Sequence, residues 1–211
     1  MEPDSRAPQQ ARSRQTMERL LAATITLIED QGLAGVTIPE IAAKAGLSTG
    51  SIYRRFADKD ALVRAAFLQL LEEAQTINQA SLPPNLFQGR SLDEALHALG
   101  RALVAQYRGR TGVLKALDQF LEIQADDAFR DHALDVTEAS TRRLVTTLLP
   151  FSGQVVTGDP ERAITFALLS AITLIEMHKL HAPLLWRRIL PLDDEALAAE
   201  AAKMMAAYLS R

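Results

Sequence analysis

Ser48, Thr49, Gly50 and Ser51 are followed at once by Ile52, Tyr53, Arg54 and Arg55. Short hydroxyls, a residue without a Cβ, a phenol and two guanidiniums in so few positions suit contact with a polyanion. Serine and threonine hydroxyls donate to phosphate oxygens. Tyrosine bonds phosphate or packs on a thymine methyl, and arginine pairs with phosphate or grips a guanine edge bidentately. A glycine inside a helix costs about 1 kcal/mol against alanine. What compensates is proximity, since a helix lacking that Cβ can approach another molecule closely. Lys59, a few residues on, adds a further phosphate clamp. An ordinary helical hairpin with a solvated face would leave both the glycine and the cluster of small donors unexplained.

The neighbouring residues form the frame that would hold these groups. Ser48 opens a short helix that ends near Phe56. The helix before it starts at "TIPE", where Thr37 caps, Pro39 suits the first turn and Glu40 completes a capping box. That helix stops near Ala45, because Gly46 can take the left-handed conformation that terminates helices. Ile38, Ile41 and Ala42 then face Leu47, Ile52 and Phe56, together with the Leu21, Ile25 and Ile28 stripe of a first helix over residues 13–31. Two short helices joined by a glycine-containing turn make a helix-turn-helix. A fourth helix runs from about Asp58 to Ala80, with Leu62, Phe67, Leu70 and Leu71 inward.

"SLPPNLFQGR", residues 81–90, is the clearest linker, since Pro83-Pro84 forbids helix continuation. Helical periodicity resumes near 92–108, 112–125, 127–149, 159–181 and 193–209, giving nine main helices and no alternating strand pattern. "APLLWRRILPL" reads as a separator between the last two. The expected fold class is all-α.

Composition narrows the function. The chain has 211 residues, 48% hydrophobic and 23% charged, which fits a globular protein. Its net charge is −3, yet residues 44–59 carry +3, leaving −6 elsewhere. A basic patch on an acidic chain suits local binding to a polyanion. There is no cysteine, so disulfides and thiolate metal sites are excluded, and a cytoplasmic location is expected. The longest apolar run, Ala163 to Ile175, falls short of the roughly 20 residues of a spanning helix, so no membrane partner is expected. The polar N-terminus does not read as a secretory signal. No nucleophile elbow, phosphate loop or metalloprotease motif occurs, and an enzyme is not expected. His178 and His181 stand at metal-compatible spacing without a well-placed third ligand, so neither metal nor cofactor is expected.

"TIPEIAAKAGLSTGSIYRRFADKDAL", Thr37 to Leu62, resembles the signature of the TetR family of bacterial transcription regulators. The shared positions are Thr37, Ile41, Ala42, Ala45, Gly46, Ser48, Gly50, Ile52, Tyr53, Phe56, Lys59 and Leu62. Arg55 departs from the pattern, standing where many members have histidine or another ring. The resemblance implies an all-helical homodimer that binds a palindromic operator in double-stranded DNA as a repressor and releases it on binding a small molecule. It implies DNA contacts from Thr37, Ser48, Thr49, Gly50, Ser51, Tyr53, Arg54, Arg55 and Lys59. Residues 1–12 would be a flexible arm; the alternative is that Arg12 and Arg14 reach an adjacent groove. Residues 13–60 would be the helix-turn-helix DNA-binding domain, and residues 61–211 a ligand-binding and dimerisation domain.

In that second domain, the segment Asp159 to Leu180 is apolar nearly all round, as expected of a helix buried on both sides. One side is assigned to the chain's own core and the other to a second copy. Phe166, Ala167 and Ala171, with Leu197, Ala201, Met204 and Tyr208 from the last helix, form the expected dimer interface. His97, Tyr107, Phe120, Met177 and Trp186 are the candidate lining of a mainly apolar pocket for a hydrophobic or amphipathic effector. A member of the same fold that binds DNA constitutively, or acts as a protein adaptor without an effector, is the alternative.

Overall fold

A computed structural model describes residues 6–156 and 158–210 of the chain, with side chains from residue 11 onward. Ten α-helices follow one another among the described residues: α1 (Arg6–Gly35), α2 (Ile38–Ala45), α3 (Thr49–Tyr53), α4 (Lys59–Ser81), α5 (Leu92–Ala105), α6 (Thr111–Ile123), α7 (Asp127–Leu148), α8 (Pro160–Glu176), α9 (Pro183–Ile189) and α10 (Asp194–Leu209). A 3-10 turn (Leu149–Gln154) follows α7, and a π-helical turn (Met177–His181) follows α8. The nine expected helices are all present. The tenth, α9, lies in the expected separator, where Pro183 costs nothing because a first-turn N–H has no partner inside the helix.

The helices fall into two compact units. One comprises residues 1–73 and 112–127, and its core holds Leu20, Ile28, Ile41, Ile52, Leu62 and Phe67, all fully buried. α1 starts at Arg6, so part of the segment expected as an arm is helical. It breaks at Gly32, whose φ of 72° only glycine adopts without strain, and one further turn carries the chain to Gly35. Within this unit α6 is tied to α1 by its first amides. Gly112 and Val113 N–H groups donate to Glu29 Oε1 and Oε2 at 3.1 and 2.7 Å. A carboxylate there satisfies two orphan donors and complements the positive end of the helix dipole. Gly112 makes the crossing possible, because a Cβ at that position would lie 2.3 Å from the Glu29 carbonyl oxygen. Phe120 of α6 packs on Phe67 of α4 with ring centroids 5.3 Å apart, and Arg64 pairs with Asp126 at 2.8 Å.

The other unit comprises residues 74–111 and 128–211. Its core is built by α5, α7, α8 and α10, with Leu96, Leu99, Leu148, Ile164, Leu168 and Leu197 buried. α10 contributes small residues, Ala198, Ala201 and Ala202, which let α5 come close at Gly100. A Cβ on Gly100 would meet the Ala198 carbonyl oxygen at 2.6 Å. α5 opens with a second capping box. Ser91 N–H and Oγ both donate to Glu94, at 2.8 and 2.9 Å, and Glu94 N–H donates back to Ser91 Oγ at 3.2 Å. These bonds hold the Glu94 carboxyl below its ordinary pKa.

With the π-helical turn added, Pro160–His181 is long and apolar enough to cross a membrane by length and composition, a length beyond the apolar run read from the sequence. Six of its residues, among them Ile164, Leu168 and Ile175, are buried in this unit's core, as in the core helix of a globular protein.

Candidate nucleic-acid interface

The turn between α2 and α3 is fixed by its own backbone. Gly46 adopts the left-handed conformation (φ 66°, ψ 39°), its N–H donates to the Ala43 carbonyl at 3.2 Å, and Leu47 N–H donates to Ala42 at 2.9 Å. This paired closure satisfies carbonyls that α2 would otherwise leave open. Ser48 then caps α3, its Oγ accepting from Ser51 N–H at 3.2 Å. Ile52, fully buried, pins α3 to the unit's core, and α2 packs against both α1 and α3. A five-residue helix has little stability of its own, so its orientation comes from these caps and from Ile52.

With Ile52 inward, the opposite side of α3 faces outward. Thr49, Gly50, Arg54 and Arg55 are exposed, and Tyr53 is 57% exposed. A Cβ built on Gly50 meets nothing within 4 Å. No demand of the fold therefore accounts for this glycine, in contrast with Gly100 and Gly112. The two arginines follow the helix rather than lying within it, and both turn back to Ser51. Arg54 Nη2 donates to Ser51 Oγ at 3.0 Å, and Arg55 Nη1 donates to the Ser51 carbonyl at 3.1 Å. Ser51 Oγ also lies 2.9 Å from Ser48 Oγ. Ser51 is thus a hub that aims the guanidiniums, and its own hydroxyl is already engaged.

Two further candidate contacts already have partners within the fold. Thr37 N–H and Oγ1 both donate to Glu40 Oε2, at 3.0 and 2.6 Å, so the hydroxyl is committed to the capping box. Lys59 points inward. Its partly buried Nζ donates to the Leu33 and Val36 carbonyls at 3.1 Å each, joining the start of α4 to the turn between α1 and α2. In this geometry Lys59 is a structural tie and not a free phosphate clamp. No sequence signal separates these roles, because a lysine one residue after an aspartate reads as surface.

The candidate effector residues do not converge. Phe120 belongs to the core of the first unit. In the second, His97 Nδ1 lies 3.0 Å from the Asp93 carbonyl of its own helix, and Tyr107 OH donates to Glu176 Oε1 at 3.4 Å. Trp186 packs on His178 with centroids 5.4 Å apart, and Met177 is exposed. None of the five lines the apolar cleft of about 380 Å³ in that unit, which is formed by the end of α4, the 82–90 loop, α5 and α7. Sequence reasoning passed over its residues because Leu99, Leu103 and Leu144 look like any helix core.

The expected dimer face also needs correction at four positions. Ala167, Ala171, Leu197 and Ala201 are buried within the protomer's own core and have no surface left to offer a partner. Phe166 and Tyr208 are exposed and stack on one another at 5.1 Å, and Met204 is half-buried. Leu169 of α8 and Met177 at the start of the π-helical turn continue the exposed apolar line. An all-apolar helix has two buried sides only where neighbours demand it, and here α5 and α10 take the side that carries the alanines.

An all-helical chain whose N-terminal unit carries a capped helix-turn-helix belongs to a broad class of helix-turn-helix proteins. Residues 20–66 match the family described as bacterial regulatory proteins, tetR family. Over 56 residues it is 46% identical to the HTH-type transcriptional regulator BetI of Stenotrophomonas maltophilia (strain R551-3), a match covering 26% of this chain and 29% of that relative. The matched stretch therefore spans well under two thirds of that relative's length. The fold is shared more widely. A TetR transcription regulator from Haloarcula marismortui ATCC 43049 superposes with a TM-score of 0.64 at 22% identity, over 93% of this chain and 97% of that one. FadR from Bacillus subtilis, solved in complex with stearoyl-CoA, superposes with a TM-score of 0.59 at 16% identity, over 92% and 97%.

Proposed function

We propose that the chain is a homodimeric, DNA-binding transcriptional regulator that lays α3 in the major groove of each half of a palindromic operator. The observation that carries this reading is the outer side of α3, where Thr49, Gly50, Tyr53 and Arg54 stand exposed around a glycine the fold does not require. Thr49 and Arg54 would reach base edges across Gly50, while Tyr53, Arg55 and Ser48 would bond flanking phosphates. Thr37 and Ser51 would serve mainly by setting helix ends and arginine direction, and Lys59 by fixing the start of α4.

A second copy would cover Phe166, Leu169 and Tyr208, which otherwise form an exposed apolar line. A small apolar or amphipathic molecule in the second unit would act as effector. α4, whose residues divide between the two units at Glu73 and Ala74, would carry its influence to α3. Repression relieved by the effector is the mode of action proposed, in the cytoplasm. FadR of Bacillus subtilis, bound to stearoyl-CoA, illustrates an amphipathic ligand on this fold.

Selection of bound duplexes from a random DNA pool by the purified full chain tests this reading. A palindrome with half-sites about 34–36 Å apart is expected. Failure to enrich any sequence, or enrichment of a single unrepeated half-site, would contradict it.

A further inference from the structure

The cleft in the second unit has a chemical polarity of its own. Its walls are aliphatic and aromatic, with Leu82, Leu86, Phe87, Leu99 and Leu103 prominent among them. Four polar side chains reach it: Asn78, Ser81, Arg90 and Gln106. Asn78 is partly committed, since its Nδ2 donates to Ser140 Oγ at 2.8 Å. Arg90 is the one charged residue of the lining. Its guanidinium makes no hydrogen bond or ion pair among the described residues. The carboxylate near it, Glu94, already accepts two bonds from Ser91. No carboxylate lines the cleft to offset Arg90. The charge of Arg90 is felt at Glu94 without a direct bond between them, so an apolar recess edged by this one cation favours a molecule with a tail and a single negative end. A cationic amphiphile would meet like charge there, and a neutral one would gain no charge-assisted bond from it.

Resting on the effector reading above, we infer that this cleft binds an amphipathic monoanion, a single-chain carboxylate whose alkyl tail fills the space between α4, α5 and α7 while its carboxylate pairs with Arg90. Size limits the tail. At about 30 Å³ for each water-sized group, a volume of about 380 Å³ holds on the order of a dozen heavy atoms. Decanoate has that size. A chain much longer would leave its end in water.

Titration calorimetry of the full chain in the absence of DNA tests this with three probes of one tail length: decanoate, decanol and decyltrimethylammonium, all below micelle formation. Decanoate is expected to bind most tightly. Arg90→Gln should weaken decanoate by roughly tenfold and leave decanol unchanged, since one charge-assisted pair at a partly open site is worth about that factor. Ala102→Trp, at an exposed position of the lining, should abolish binding by filling the space, with Ala98→Phe as a second filling variant should the first melt early. Decanol or decyltrimethylammonium equal to or better than decanoate would overturn the anion preference. Decanoate binding that survives both filling variants, or no binding of any probe to a chain that melts cooperatively, would overturn the site. The readout needs no operator, so a chain that binds decanoate but enriches no DNA contradicts the regulator reading alone. A chain that enriches a palindrome but binds no probe contradicts only the present inference.

Discussion

Gly50 and Gly112 invite the same substitution and should give opposite results. At Gly112 an added Cβ would stand 2.3 Å from the Glu29 carbonyl oxygen, more than an ångström inside ordinary contact. The neighbour is backbone, so no side-chain rotation relieves it, and α6 must shift away from α1. That shift strains or breaks the bonds from Gly112 and Val113 N–H to the Glu29 carboxylate. Overpacking of this kind costs about 1–3 kcal/mol, and in a chain of this size each kcal/mol lowers Tm by about 2–4 °C. Gly112→Ala should therefore melt some 2–12 °C lower, by roughly the product of those ranges. At Gly50 the added Cβ meets nothing within 4 Å, and α3 gains a better helix former, so stability should hold or rise by up to about 1 kcal/mol. Affinity for a selected duplex should nonetheless fall, because that Cβ would occupy the space the DNA must enter. The assay is urea or thermal unfolding of both variants beside fluorescence anisotropy on one labelled duplex at fixed salt. A Gly50→Ala protein that binds DNA like its parent, or that is destabilised as much as Gly112→Ala, would refute the reasoning.

Three further outcomes follow from other contacts. Lys59→Met removes two charge-assisted bonds to buried-side carbonyls and should cost about 2–3 kcal/mol in urea unfolding. Lost DNA affinity with unchanged stability would restore Lys59 to the phosphate backbone. Arg54→Ala loses only an exposed bond to Ser51, so folding should change by less than about 0.5 kcal/mol, while discrimination between a selected duplex and a scrambled one should collapse; retained discrimination would remove Arg54 from base recognition. His178 is buried with neither ring nitrogen bonded, and burial foremost, then Lys179, lowers its pKa below the ordinary 6.5, against the opposing pull of Asp194. Its neutral form is the one the fold prefers, so this contribution to stability is present above pH 6.5 and is lost as pH falls through the lowered folded value. His178→Phe should thus show a smaller drop in Tm between pH 7.5 and pH 5 than the parent, and an identical drop would exclude His178 as the cause.

Local chemistry was legible in the sequence wherever a few adjacent residues decide the backbone. Thr37 with Glu40, Gly46, Ser48 and the Pro83-Pro84 break each act within a turn of chain, and each element boundary they implied is present in the fold. The exposed side of α3 followed from the same reasoning, since once Ile52 points inward the residues around it point out. The bonds of Lys59 were not legible, because its partners, the Leu33 and Val36 carbonyls, lie more than twenty residues away and only the closed turn between α1 and α2 brings them to it.

Residues of the second unit resisted for a different reason. An alanine on an apolar helix is equally consistent with a core and with an interface, and only the neighbour that reaches it first decides. α8 packs on α10 and α5 within the protomer, and Ala167 and Ala171 are already buried there, with no surface left for a second copy. The side of α8 left over carries Phe166 and Leu169, side chains too large for that close packing. The small residues on α8 thus mark where the protomer closes on itself, and the large ones mark where a second copy would have to seat. Replacing Phe166 and Leu169 together by lysine should leave the melting of a dilute monomer nearly unchanged, yet shift sedimentation from two copies to one. A variant that unfolds instead would place these residues in the protomer's core and reverse the assignment.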